Sequence, residues 1–160
     1  MLEHPVLRGA FSSGADRFGF RLVEYSIQSN HLHLLCEARD RRALWRGMQG
    51  LSVRIAKRLN KLWERKGSVF ADRYHARILR TPREVRVALA YVLCNARRHR
   101  VRLAGVDRYS TGPWFEGWRG ALGRARGRLV KPALVARTWL LAIGWRRHGL
   151  VRIDEVPGSR

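Results

Sequence analysis

The chain has 160 residues, 46% of them hydrophobic, which suits one globular domain with a buried core and excludes a largely disordered chain. Thirty-three Lys and Arg against 12 Asp and Glu give a net charge of +21, so the natural partner is a polyanion, with nucleic acid the commonest. No stretch of about 18 uncharged apolar residues exists to cross a membrane, since even Ala133 to Trp145 contains Arg137.

The basic residues are almost all arginine; only Lys57, Lys61, Lys66 and Lys131 are lysine. Guanidinium forks bind phosphate oxygens in pairs and stack on bases, which favours nucleic acid over non-specific solubility. The start, Met1-Leu2-Glu3-His4-Pro5, lacks the basic-then-apolar order of a signal peptide. Cys36 and Cys94 are isolated and read as small buried hydrophobes in a reducing cytoplasm.

In chain order, residues 1–17 are weakly patterned, with Phe11-Ser12-Ser13-Gly14 expected as a loop. Phe18 to Ile27, FGFRLVEYSI, is rich in aromatic and β-branched residues and reads as a strand. Ser29-Asn30 is a turn and His31 to Glu37 a second strand, so the two form a β-hairpin. Asp40 caps a helix whose apolar stripe is Leu44, Met48, Leu51, Ile55, Leu59 and Leu62. Its other faces carry Arg41, Arg42, Arg46, Arg54, Lys57, Arg58 and Lys61. Val69 to Leu79 reads as a third strand, with Arg73, His75 and Arg77 on one face by period two. Thr81-Pro82-Arg83-Glu84 is a capping box with proline at the first helical position, and the helix should run to about Arg98. A last helix is expected over Ala133 to Arg147, ending at His148-Gly149. The order ββαβα with a basic tail predicts an α+β fold: an antiparallel β-sheet flanked by helices.

Two places carry candidate chemistry. Strand periodicity puts His31 and His33 on one face, about 7 Å apart at Cα, while Leu32 and Leu34 point to the core. Such a pair can converge on one metal ion, although a histidine pair in a strand is also an ordinary structural feature. On the capped helix, Tyr91 and Asn95 stand four residues apart, on one helical face. Asparagine is a poor mid-helix residue because its amide competes with the backbone, so its presence asks for a reason. Glu37 shares the His31/His33 face and could orient a ligand or simply end the strand. Arg73, His75 and Arg77, with Arg54, Arg58 and Lys61 on the preceding helix, are the candidate nucleic-acid contacts; solvated faces are the plain alternative for both sets. Trp114, Phe115 and Trp118 could stack on bases, but packing of the tail onto the domain is the expectation.

NHLHLL, then RYHARILRTPRE, then AYVLCNARRH together resemble the single-tyrosine transposases of the insertion-sequence 200 type. The nearest likeness is to their relatives associated with repetitive extragenic palindromes, within the HUH endonucleases. His31-Leu32-His33 matches HUH, Tyr91 the nucleophilic tyrosine, and Asn95 the amide-bearing ligand one turn later. The likeness covers roughly residues 18 to 100 and is weaker around WFEGW and WRRHGL. It implies a ferredoxin-like or RRM-like core in residues 1–100 and a basic, partly helical C-terminal extension in 101–160. It further implies His31, His33 and Asn95 as ligands of Mg²⁺ or Mn²⁺, and Tyr91 attacking single-stranded, hairpin-forming DNA to give a 5′-phosphotyrosine. A cytoplasmic, nucleoid-associated bacterial protein, monomer or homodimer, with no membrane partner, follows from the same likeness.

The family pattern has a further strand and helix before the FGFRLV segment, so the expectation is an N-terminally truncated sheet, open at the metal-binding strand. Ser29 and Ala96 stand where relatives often carry proline. A basic DNA- or RNA-binding relative without cleavage is therefore the alternative expectation. A structural zinc protein fits poorly, because two histidines and an amide are not a zinc set.

Overall fold

The structure, a computed structural model, describes residues 3–13, 16–98, 105–120 and 130–158. Its order is α1 (Glu3–Ser12), β1 (Asp16–Arg17), β2 (Phe20–Ile27), β3 (Leu32–Ala38), α2 (Arg41–Leu62), α3 (Pro82–Leu93), α4 (Asn95–Arg98) and α5 (Trp139–Ala142). The three strands form one antiparallel sheet in the order β1-β2-β3, flanked by helices as an α+β fold.

The sheet is drawn tight by local chemistry. Arg17 pairs with Phe20 across a two-residue turn in which Phe18 and Gly19 both have positive φ, 55° and 76°. That is the hairpin turn whose twist matches the strands, and glycine takes its second position without strain. In β2 the pairing shifts between Leu22 and Glu24, so Val23 is an extra residue in a bulge. The bulge decides which side chains meet. Strict alternation would send Tyr25 and Ile27 to the face opposite Phe20 and Leu22; the extra residue keeps all four together.

Those four meet Leu7, Ala10 and Phe11 of α1 and Leu51, Ile55 and Leu59 of α2 in one core. Leu32, Leu34 and Cys36 of β3 add to it from the strand's same side. Gly47 allows the close approach of α2, because a Cβ there would lie 2.1 Å from Phe20 Cγ. Asp40 caps α2, its carboxylate accepting from Ala43 N–H at 2.7 Å. On the opposite sheet face Val23 and Leu35 pack with Val85, Leu89 and Leu93 of α3 and with Trp118, Leu141, Trp145 and Val151 from the C-terminal part of the chain. Trp118 donates its indole N–H to Gly112 O at 2.9 Å, and Phe115 stacks on Trp145, so these aromatics pack as expected. The boundary drawn at residue 100 lies outside the described residues.

Four elements differ from the sequence reading. The weakly patterned start is a helix over Glu3–Ser12, which takes in Phe11 and Ser12 of the expected loop: Leu7, Ala10 and Phe11 recur at helical spacing and are buried, outweighing Pro5 and Gly9. Val69 to Leu79 is not a strand; Val69 leans on the α2 core, Leu79 on the α3 core, and the residues between are exposed. Period two needs a sheet edge to become a strand, and none of the described strands pairs with this segment. The helix expected to reach Arg98 breaks at Cys94, with Asn95 opening a separate short turn. The helix expected over 133–147 is one turn, α5, followed by a 3-10 turn over Gly144–His148. Tertiary bonds take its backbone groups instead: Leu134 N–H donates to Leu22 O at 2.9 Å, and Arg137 and Thr138 N–H donate to the Glu37 carboxylate at 2.9 and 2.8 Å.

Candidate nucleic-acid-processing site

β3 and α3 bring the candidate residues together on the α3 face of the sheet. The hairpin that precedes β3 is closed by Gln28 N–H donating to His31 O at 2.9 Å, which sets His31 at the mouth of the strand. His31 is exposed; His33, one residue into β3, is half-buried opposite Ser26. The two Nε2 atoms lie 3.0 Å apart, with the rings edge-on at 4.6 Å between centroids. Tyr91 of α3 completes the group, its ring 4.9 Å from that of His33 and also edge-on. Helix position explains the encounter: the Thr81–Glu84 capping box starts α3, and Val85, Leu89 and Leu93 bury against Leu35, which turns Tyr91 toward the histidine strand.

His31 also has an orienting neighbour. Its Nδ1 lies 2.7 Å from Asn30 Oδ1, and since the amide oxygen only accepts, Nδ1 carries the proton and donates. A histidine held in that tautomer presents Nε2 as a lone pair, the form that ligates metal. The two Nε2 atoms are at hydrogen-bond distance, so His33 Nε2–H donates to His31 Nε2 when no ion is bound. Once His33 Nε2 gives up that proton, both nitrogens could serve one divalent ion. Among the described residues no three of His, Cys, Asp and Glu converge, so any further protein donor has to be of another kind.

Asn95 is of another kind, and its setting is unusual. It is 0% exposed, and neither Oδ1 nor Nδ2 has a hydrogen-bond partner among the described residues. A buried amide left unpartnered costs about 1–3 kcal/mol, so the orphaned oxygen fits a residue kept for a ligand. Because α3 ends at Leu93 and Cys94 is its C-cap, Asn95 does not continue the helix that carries Tyr91.

The other candidates fall in different places. Arg54 and Arg58 are on α2, across the sheet from the histidines; Arg58 donates to Ser13 Oγ at 2.9 Å, and burial beside Arg17 and Arg58 pulls the Arg54 pKa down. Lys61 is exposed in the last turn of α2. Arg73 and His75 are exposed on the irregular 70–78 segment, while Arg77 donates to Glu84 Oε1 at 3.0 Å. The Glu37 carboxylate holds the Arg137–Thr138 backbone and the Thr138 hydroxyl, the last at 2.7 Å.

Two groups at the site are not among the candidates read from the sequence. In the sequence Asn30 is a turn residue, and its place directly before the first histidine is the signal for its orienting role. Arg86, one turn and a half before Tyr91, donates to both oxygens of Glu155 at 2.8 and 2.7 Å and to the carbonyls of Gly149 and Leu150. It binds the C-terminal segment along α3, and nothing in the local sequence signals a contact 69 residues away.

Residues 4–95, more than half of the chain, match the family model described as "Transposase IS200 like". No curated protein and no solved structure matches the chain.

Proposed function

The chain belongs to the IS200-like transposase family, and from that premise we propose that it is a metal-dependent single-strand DNA endonuclease and strand transferase acting at hairpin-forming DNA. The observation that supports this reading is the group formed by His31, His33 and Tyr91, two imidazole nitrogens 3.0 Å apart with a tyrosine ring against one of them. In it His31 and His33 would hold Mg²⁺ or Mn²⁺, Asn95 would add its amide oxygen, and Tyr91 is the nucleophile. A divalent ion bound there would supply Lewis-acid polarisation of a phosphate oxygen.

The residues of the chain do the rest. The Tyr91 phenolic oxygen attacks phosphorus as its proton leaves. The bond from phosphorus to the 3′ oxygen breaks, and that oxygen takes up a proton. The products are a 5′-phosphotyrosine and a free 3′-hydroxyl, with one phosphodiester exchanged for another. A 3′-hydroxyl from another DNA end can reverse the step and join strands without ATP. The +21 chain supplies the field that draws the phosphate backbone in. By the same reading the protein is cytoplasmic and nucleoid-associated, in the branch linked to extragenic palindromes; no helix among the described residues is long and apolar enough to cross a membrane.

The test uses the purified chain, Mn²⁺ and single-stranded oligonucleotides bearing hairpins with flanking single strands. A covalent adduct that survives SDS and is lost in Tyr91→Phe is the expected result. A folded protein that forms no adduct with any such DNA overturns the reading. The helix break between Tyr91 and Asn95 favours a second reading, a basic DNA- or RNA-binding relative without cleavage. That reading expects binding that persists in His31→Ala, weakens with salt and needs no metal.

A further inference from the structure

The C-terminal segment bound along α3 leaves a cleft of about 550 Å³ beside Tyr91, and the cleft reaches from Arg86 to Gly158. Its size lies in the range that holds small organic ligands, about 300–1,000 Å³. Two features set it apart from the rest of this arginine-rich surface. The first is charge. Its four ionic groups cancel in pairs: Arg86 with Glu155 at 2.7 Å, and Arg152 with Asp154 at 2.6 Å. Arg86 is 14% exposed and spends its donors on Glu155 and two carbonyls, so the cleft offers no strong phosphate clamp. The second is lining: Val87, Ala90 and Pro157 give it apolar surface next to the tyrosine.

A charge-balanced cleft of mixed polar and apolar lining suits the base of a nucleotide better than its phosphate. Stacking faces of a base are apolar and its edge carries N–H donors, whereas carboxylates only accept. Asp154 is 63% exposed at the rim and has oxygen lone pairs beyond those Arg152 uses. Carboxylates accept from the exocyclic amino group of cytosine, and adenine and guanine also carry one while thymine does not.

We propose that this cleft receives one unstacked nucleobase of the single strand next to the phosphate that Tyr91 attacks, and that Asp154 selects a base with an exocyclic amino group. The proposal rests on the reading of Tyr91 as nucleophile for its location, but it is tested by binding alone. Val87 is 61% exposed, so Val87→Trp fills the cleft without entering the core. Full-length protein is titrated against fluorescent eight-nucleotide oligo(dC), oligo(dA) and oligo(dT), and against a duplex, in wild type, Val87→Trp and Asp154→Asn, with thermal unfolding as a fold check. The expected result is tighter binding of oligo(dC) and oligo(dA) than of oligo(dT), and a loss of about tenfold for the single strands in Val87→Trp with duplex binding unchanged. Asp154→Asn should shrink the preference over oligo(dT). Single-strand affinities equal to wild type in Val87→Trp overturn the cleft, and an unchanged base preference in Asp154→Asn overturns the selection. Failure to form a Tyr91 adduct while Val87→Trp still weakens binding removes the cleavage reading alone; adduct formation with unaltered binding removes the cleft alone.

Discussion

On one face of the sheet Phe20, Leu22, Tyr25 and Ile27 meet α1 and α2, and the packed residues are mostly apolar, with the Tyr25 hydroxyl buried among them. On the other, Val23 and Leu35 share the surface with Glu24, Ser26, His33 and Glu37, and Asn95, which follows Cys94 of the cluster packed there, is fully buried. The first face does what an amphipathic helix on a sheet always does: it removes hydrocarbon from water. The second interrupts its hydrocarbon with groups that must find partners or remain at a cost. Glu37 finds the Thr138 backbone and hydroxyl, and Glu24 finds the Lys131 ammonium at 2.8 Å. His33 meets the His31 imidazole and the Tyr91 ring, and Asn95 finds no hydrogen-bond partner among the described residues. Stability and chemistry are thus divided between the faces, and substitutions can separate them.

The widest separation is expected for His33→Ala. Adduct formation in Mn²⁺ should fall by about a hundredfold or more, while stability changes by less than about 1 kcal/mol; comparable losses of both would erase the division. Leu51→Ala on the α2 face should do the reverse. Removing this buried side chain costs about 2–5 kcal/mol, seen in a denaturant titration, with metal-dependent cleavage at the native fraction unchanged. Asn95→Leu sharpens the comparison further, because removing an unpartnered buried amide should raise stability by about 1–3 kcal/mol and yet raise the Mn²⁺ concentration needed for half-maximal adduct. A loss of stability with unaltered metal dependence would make Asn95 a packing residue.

The smallest effect is a pH dependence at the start of α3. Glu84 accepts from the backbone N–H of Arg80 and Thr81 and from the Arg77 guanidinium, which lowers its carboxyl pKa from 4.5 to about 2. A depressed carboxylate contributes its stability above its unfolded pKa and loses it as pH falls toward the folded one. Unfolding temperature should therefore decline from about pH 4.5 down to about pH 2, and Glu84→Gln should flatten part of that decline. An identical slope in the variant would mean that the capping box does not carry the dependence.

What is local was legible in the residues themselves. Asp40 and the Thr81–Glu84 box cap their helices where read, because a cap is satisfied within four residues. Period two sent Leu32 and Leu34 to one face of β3 and His33 to the other, since β3 is regular from end to end. The family likeness drawn from NHLHLL and AYVLCN agrees with the family match over residues 4–95. The tertiary structure alone decided the rest. Arg73, His75 and Arg77 alternate like a strand, but alternation is only a pattern until an edge accepts it. Ala133 to Arg147 has helical periodicity, but Leu22 O and the Glu37 carboxylate offer its backbone groups partners that a helix would have withheld. Likewise the contact of Tyr91 with His33 depends on α3 packing against Leu35, and the cleft beside it on Arg86 meeting Glu155, pairings between distant residues that only packing could set.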